Sequence, residues 1–247
     1  MSGKNIHPIY LVTTVIKYSD KKIATGFFFS DKGKLYLVTN KHIIYGKDFF
    51  DKHSVPKINV LTLTLHTDSQ DFTKNDNVTI DLFKDGNRIW IEHPVPSTDI
   101  VLIPVDIDRK KFLISEMSRK FIEDADPSLV QCERILVVGY PYGFYDEFYN
   151  LPIIKIGHLS SPFNISFKGD PIMVGDVITY PGMSGSPVVM QIKNPLHKDD
   201  KGKLQVKFGN KYILAGIYSG QFQVHGKTRK HLINIWFSKV IEWILDQ

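Results

Sequence analysis

Short apolar segments separated by turn-forming residues recur along this chain of 247 residues, and no other feature limits its fold so strongly. Residues 35–39 (Leu-Tyr-Leu-Val-Thr) and 100–103 (Ile-Val-Leu-Ile) are typical of buried strands, and in residues 58–66 apolar and polar side chains alternate. Residues 84–87 (Lys-Asp-Gly-Asn) join two such segments and indicate a hairpin. Regularly spaced short strands predict an all-β fold built from barrels.

Two segments depart from this pattern. Residues 109–121 begin with three basic residues and predict a short helix, and residues 124–128 (Asp-Ala-Asp-Pro-Ser) predict a loop, so the connection between two halves is expected there. Near the C terminus, apolar residues at positions 240, 241, 243 and 244 have helical spacing behind Ser238, a residue type that often caps helices. We therefore expect a terminal helix.

Residues 181–189 (Pro-Gly-Met-Ser-Gly-Ser-Pro-Val-Val) place serines among glycines ahead of an apolar run. Glycines admit positive φ and let another molecule approach the main chain, so successive N–H groups can point into one small space, as in an oxyanion hole. A tight turn between two strands would use the same residue types. Ser184 has glycines two positions before and one position after it, which favours Ser184 over Ser186 as a nucleophile.

A nucleophilic serine needs a base, and the base needs a group that orients it. His42 follows the strand-like residues 35–39, which would anchor its backbone beside a cleft. Asp99 directly precedes residues 100–103, where a carboxylate is partly buried and must be hydrogen-bonded. Asp106 and Asp108 lie near enough to compete with Asp99. The three local contexts together predict His42, Asp99 and Ser184 as a catalytic set.

These residues carry a family resemblance that extends over roughly residues 10 to 245. The chain resembles the chymotrypsin-like (trypsin-fold) serine peptidases, and within them the bacterial HtrA-like and glutamyl-endopeptidase-like branches. The resemblance rests on residues 24–27 (Ala-Thr-Gly-Phe), 37–42 (Leu-Val-Thr-Asn-Lys-His), 98–102 (Thr-Asp-Ile-Val-Leu), 138–143 (Val-Gly-Tyr-Pro-Tyr-Gly), 181–189 and 216–220 (Gly-Ile-Tyr-Ser-Gly).

The resemblance implies two six-stranded antiparallel β-barrels and a C-terminal α-helix. Residues 1–125 would form the barrel that carries His42 and Asp99. Residues 126–247 would form the barrel that carries Ser184, together with the terminal helix, and the two barrels would make one peptidase domain.

The resemblance also implies a role for each site residue. Ser184 would attack a peptide carbonyl, His42 would transfer the proton, and Asp99 would orient His42. The backbone N–H groups of Gly182 and Ser184 would bind the oxyanion. Ser219 would donate a hydrogen bond to Asp99. The substrate pocket is expected at Ile178, Thr179, Tyr218, Ser219 and Gly220.

Three departures from the family bear on specificity and activation. Ile178 stands where an acid would select Lys or Arg, and Tyr218 stands where glutamyl endopeptidases have a histidine. We therefore expect a neutral residue, apolar or small, at P1, the position before the scissile bond. Met183 replaces the aspartate that pairs with a freed N terminus in trypsin-type zymogens. Gating by a regulatory protein partner is expected instead.

Composition narrows the partners and the location. A single cysteine, Cys132, excludes an intrachain disulfide, and the first residues lack a signal-peptide core, so a cytoplasmic location is expected. No apolar stretch reaches about 18 residues, so we expect no membrane span. The net charge is +5, but lysines alternate with acids, which favours a solvated surface over a specific nucleic-acid site. Neither a metal nor another cofactor is expected, and the oligomeric state stays open.

A second class of function uses the same fold. A trypsin-fold chain with an impaired triad can serve as a binding or scaffold module, because a fold does not fix a function. A His42 ring walled off by apolar side chains would favour that alternative. A His42 ring within about 3.2 Å of Ser184 Oγ, or slightly farther without a ligand, would favour the enzyme.

Overall fold

The computed structural model describes residues 6–19, 22–123, 134–142, 144–193, 196–198, 204–206, 210–224 and 227–247. The strands before residue 120 are β1 (Thr13–Ser19), β2 (Lys22–Asp31), β3 (Lys34–Thr39), β4 (Val60–His66), β5 (Asn75–Asp81), β6 (Phe83–Lys84), β7 (Asn87–Arg88), β8 (Ile91–Glu92), β9 (Val101–Pro104) and β10 (Met117–Ser118). Those that follow are β11 (Arg134–Gly139), β12 (Ile153–Leu159), β13 (Ile172–Asp176), β14 (Pro187–Lys193), β15 (Leu196–Lys198), β16 (Leu204–Val206), β17 (Asn210–Val224) and β18 (Lys227–Phe237). The α-helices are α1 (Ile9–Val12), α2 (Lys41–Tyr45), α3 (Lys120–Glu123) and α4 (Lys239–Leu245).

The first half of the chain forms a sheet in the order β5-β4-β1-β2-β3-β9-β8, with the short strand β10 pairing with β2 in parallel. Strand β3 pairs antiparallel with β9, so Thr39 lies opposite Val101. The predicted hairpin is confirmed, since β6 pairs with β7 across Asp85 and Gly86. Both turn residues have positive φ (51° and 77°), the conformation that suits the twist of a two-residue hairpin.

The second half closes into a six-stranded antiparallel barrel in the order β11-β12-β13-β18-β17-β14. Together with the first sheet, this barrel confirms the predicted all-β, trypsin-like double-barrel class. The terminal helix α4 is confirmed as well, with Val240, Ile241 and Ile244 buried. Ser238 precedes α4 but makes no side-chain capping bond.

Three consecutive phenylalanines in β2 show how the two halves pack. Phe27, Phe28 and Phe29 are all fully buried, although neighbouring strand residues point to opposite faces. Phe28 packs into a core within the first half, with residues such as Leu63. Phe27 and Phe29 pack on the other face into the core of the second half, with residues such as Val188. Strand β2 is therefore apolar on both faces because it separates two cores.

The helix predicted for residues 109–121 is wrong. Only residues 120–123 are helical, and Met117–Ser118 is a strand. The Leu113 N–H donates to the His66 carbonyl (2.8 Å), and the Ser115 N–H donates to the Leu11 carbonyl (3.0 Å). These long-range bonds replace the local bonds of a helix. The predicted loop at 124–128, the boundary between 125 and 126, and Cys132 lie outside the described residues.

Within the described ranges, no helix is both long enough and apolar enough to cross a lipid bilayer.

Candidate active site

His42 lies in helix α2, which begins just after strand β3 ends. The pairing of β3 with β9 brings the segment before β9 next to this helix. Asn40 Nδ2 donates to the backbone carbonyl of Asp99 at 2.8 Å, and the Lys41 N–H donates to the same oxygen at 3.3 Å. The sheet register and these two bonds fix residue 42 beside residue 99.

The Asp99 carboxylate makes two bonds to His42. Its Oδ1 accepts from the His42 backbone N–H at 2.8 Å, and its Oδ2 lies 2.7 Å from His42 Nδ1. With Asp99 ionised, Nδ1 is the donor, which leaves Nε2 unprotonated in the neutral ring. Burial lowers the pKa of His42, but the charge and the hydrogen bond of Asp99 outweigh burial and raise this pKa above 6.5.

Neither of the competing acids contacts His42. Asp108 Oδ1 accepts from the Lys110 N–H at 2.8 Å, a local turn bond. Asp106 lines a separate depression with Arg109. The structure therefore pairs His42 with Asp99.

The loop between β13 and β14 brings Ser184 to the same place. Gly182 and Gly185 have φ of 93° and 87°, which other residues rarely adopt. A side chain at either position would also collide with backbone, at Tyr140 O for Gly182 and at Thr25 O for Gly185. Ser186 is fully buried, and its hydroxyl faces Gly139, where a Cβ would overlap it.

The backbone N–H groups of this loop alternate in their bonding. Those of Met183 and Gly185 donate to the carbonyls of Tyr180 (3.2 Å) and Tyr218 (3.0 Å). Those of Gly182 and Ser184 donate to no group within the described part of the chain. Two N–H groups flanking Met183 are thus available to a ligand.

Thr25, a buried residue of β2, braces the loop from the other half of the molecule. Its N–H donates to the Ser184 carbonyl at 2.9 Å, and its hydroxyl donates to the Gly182 carbonyl at 2.9 Å. The same hydroxyl accepts from the Tyr140 N–H at 3.0 Å, and Thr39 Oγ1 donates to the Thr25 carbonyl at 2.8 Å. Gly182 and Ser184, the two residues with free N–H groups, therefore both have their carbonyls bound by Thr25.

A cavity of about 390 Å³ joins these parts. His42 opens into it with a side chain that is 25% exposed, so the ring is not walled off by apolar side chains. No hydrogen bond joins Ser184 Oγ to His42 among the bonds of the described residues, as is common in unliganded sites. The cavity is lined by Tyr18, Lys22, Ile23, His42, Ile43, Tyr142, Pro181, Gly182 and Ser184.

None of the five expected pocket residues lines this cavity. Thr179 and Tyr218 are buried, and the Thr179 hydroxyl donates to Tyr218 Oη at 2.8 Å. Ile178 is exposed, and a Cβ at Gly220 would meet nothing within 4 Å. Ser219 Oγ accepts from Trp236 Nε1 at 3.1 Å, and no bond from Ser219 to Asp99 occurs in the described part of the chain.

A buried ion pair that the sequence does not predict lies behind the helix that carries His42. Lys41 Nζ lies 2.9 Å from Glu92 Oε2, and both side chains are nearly buried. Burial raises the pKa of Glu92, but hydrogen bonds from Tyr45, Lys41 and Trp90 outweigh it and hold this pKa below its ordinary value. Residues 41 and 92 are distant in sequence, so only the fold could show this pair.

Among the described residues, His, Cys, Asp and Glu side chains form no cluster of three or more that could hold a metal ion.

Solved structures with the same fold include the HtrA-type protease AlgW, in complex with a tripeptide, and Deg5. The AlgW structure has a TM-score of 0.52 and 14% identity, and the match covers 94% of this chain but 58% of the AlgW chain. The Deg5 structure has a TM-score of 0.51 and 13% identity, with 95% and 88% of the two chains covered. At these identities the likeness is one of fold.

No curated protein sequence matches the chain. Residues 24–194, which are more than half of the chain, match the family described as the trypsin-like peptidase domain. This range includes His42, Asp99 and Ser184. The chain therefore belongs to the trypsin-like peptidase domain family.

Proposed function

We propose that the protein is a serine endopeptidase that cleaves polypeptides through an acyl-enzyme on Ser184. One observation carries this proposal: His42, whose ring is bonded to Asp99, lines one solvent-accessible cavity together with Gly182 and Ser184, the two residues whose N–H groups are free. A structural turn at residues 181–186 would not require this meeting.

The geometry supports a role for each group. His42 Nε2 takes the proton as Ser184 Oγ attacks the peptide carbonyl, and the Asp99 carboxylate stabilises the imidazolium that forms. The N–H groups of Gly182 and Ser184 bind the oxyanion, at about 3 kcal/mol for each donor. The C–N bond then breaks as His42 gives its proton to the leaving amine. Water, with His42 again as base, hydrolyses the ester and frees Ser184.

We propose a neutral P1 residue, apolar or small. Ile178 carries no charge that could attract a basic or acidic side chain. Thr179 and Tyr218 are both buried, and the Thr179 hydroxyl donates to Tyr218 Oη, so neither presents a charge or an exposed polar group to a substrate. Cleavage mainly after Arg, Lys or Glu would contradict this assignment.

Regulation, domain limits and location stay predictions. His42 and Asp99 come from one half of the chain and Ser184 from the other, so a partner that shifts the halves by about 1 Å could change the rate about 100-fold. We propose barrel limits of 1–125 and 126–247, with both barrels forming one peptidase domain. A cytoplasmic location rests on the single cysteine.

Hydrolysis of denatured casein tests the function. Ser184→Ala should abolish cleavage, whereas Ser186→Ala, the matched control, should keep most of it because Ser186 faces Gly139 rather than the cavity. Equal cleavage by Ser184→Ala and the parent would refute the proposal and favour a binding module. A typical rate for the isolated parent would leave the function intact and refute gating by a partner.

A further inference from the structure

The cavity at Ser184 has apolar and aromatic walls. Ile23, Ile43 and Pro181 contribute aliphatic surface, and the rings of Tyr18 and Tyr142 flank it. Its volume of about 390 Å³ lies within the range of small-ligand sites, about 300–1,000 Å³. The walls therefore suit a bulky apolar group rather than a polar one.

The lining residues show which half of a substrate enters this cavity. In acyl transfer, the acyl half stays on the serine, and the amine half leaves past the histidine that protonates it. The cavity extends from His42 to the hairpin of β1 and β2, through Ile23 and Tyr18. It includes none of the residues 178, 179 and 218–220 expected on the acyl side. The cavity thus lies on the amine side.

We propose that this cavity selects the residue after the scissile bond, P1′, and that it takes a large apolar or aromatic side chain there. The inference rests on the proposed peptidase function and adds its substrate class. Lys22 places a positive charge at the exposed edge of the cavity, which disfavours a basic side chain at P1′. Tyr142, which is 57% exposed, forms the outer wall and is the main determinant of the preference.

Three quenched fluorescent peptides test the proposal. They are identical, with Ala before the cleaved bond, and have Phe, Gly or Lys after it. The parent protein should cleave the Phe peptide with a kcat/KM at least about tenfold above that of the Gly peptide, because an apolar pocket discriminates by roughly this factor. The Lys peptide should be cleaved more slowly than the Gly peptide.

Two variants localise the preference. Tyr142→Ala should reduce the Phe-to-Gly ratio to below about threefold, since truncation opens the outer wall. Phe148→Ala is the matched control, because it removes an exposed ring of the same loop that does not line the cavity, and the ratio should stay at the parent value. Both side chains are largely exposed, so neither variant should impair folding.

A binding measurement tests the P1′ site independently of the peptidase function on which it rests. The Ser184→Ala variant should bind the uncleaved Phe peptide at least about tenfold more tightly than the Gly peptide in fluorescence anisotropy. Serine-dependent cleavage with a Phe-to-Gly ratio near one, or an unchanged ratio in Tyr142→Ala, would overturn the inference and leave the peptidase function standing. Without serine-dependent cleavage, the peptidase function fails, and equal binding of the two peptides would overturn the P1′ site too.

Discussion

The ring of His42 is subject to two opposing influences. Burial favours its neutral form, and the Asp99 carboxylate, 2.7 Å from Nδ1, favours its charged form. The effect of Asp99 is larger than that of burial, so the pKa of His42 is raised above 6.5. A general base must be neutral to accept a proton. Activity should therefore be low at acidic pH and rise as pH passes through this raised pKa.

Asp99→Asn tests this balance at the residue scale. The substitution removes both influences that raise the pKa of His42 and leaves burial, which lowers it. The acid limb of kcat/KM should therefore move to lower pH while its plateau falls by up to about 10⁴-fold. Asp108→Asn is the control, because the Asp108 carboxylate accepts a local bond from the Lys110 N–H, and this variant should keep the pH profile of the parent. An acid limb at the same pH in Asp99→Asn and the parent would contradict the assignment.

At the scale of elements, strand β2 and the Ser184 loop act as one unit. Thr25 binds the carbonyls of Gly182 and Ser184, which follow the two free N–H groups in the chain. Loss of the Thr25 hydroxyl would leave the Gly182 carbonyl free to turn, and the neighbouring peptide groups would turn with it. The proposed oxyanion donors would then no longer be preorganised.

Thr25→Val keeps the shape of the side chain and removes its hydroxyl. We expect kcat to fall on the order of tenfold with KM nearly constant, because the loss acts on transition-state stabilisation. Thr25→Ser should retain most activity. Thr14→Val is the stability control, since the buried Thr14 hydroxyl donates to the Thr64 carbonyl in β4 and not to the Ser184 loop. An equal fall in kcat in Thr14→Val and Thr25→Val would show a general packing effect.

The elements that the sequence predicts correctly are those set by neighbouring residues. The Asp85-Gly86 hairpin, helix α4 and the Ser184 loop each follow from neighbouring residues with distinctive conformational needs. Residues 109–121 do not form the predicted helix because the partners of their backbone N–H groups, His66 and Leu11, are distant in sequence. The Lys41–Glu92 ion pair and the bonds from Thr25 to the Ser184 loop are not predicted for the same reason. The resemblance gave the acyl-side residues, but the cavity at Ser184 is lined by others.

At the scale of the whole molecule, the proposed catalysis requires two cores to stay docked. Phe27 and Phe29 of the first half complete the core of the second, so the His42–Asp99 pair and Ser184 are held together by apolar packing. Arg119 adds a polar link, since it bonds Asp31 of β2 (2.7 Å) and Asp246 after α4 (2.7 Å). The proposed site thus exists only in the assembled double barrel.

Covalent labelling with a fluorophosphonate probe is the sharpest test of Ser184 as an activated nucleophile, because the probe reacts with a serine only where a base activates it. We expect one adduct on the folded parent protein, located at Ser184 by mass spectrometry. Ser184→Ala and His42→Ala should lose the label, and Ser186→Ala should keep it. Labelling of Ser184→Ala at the parent level, or a folded parent protein that takes no label, would show that Ser184 is not an activated nucleophile.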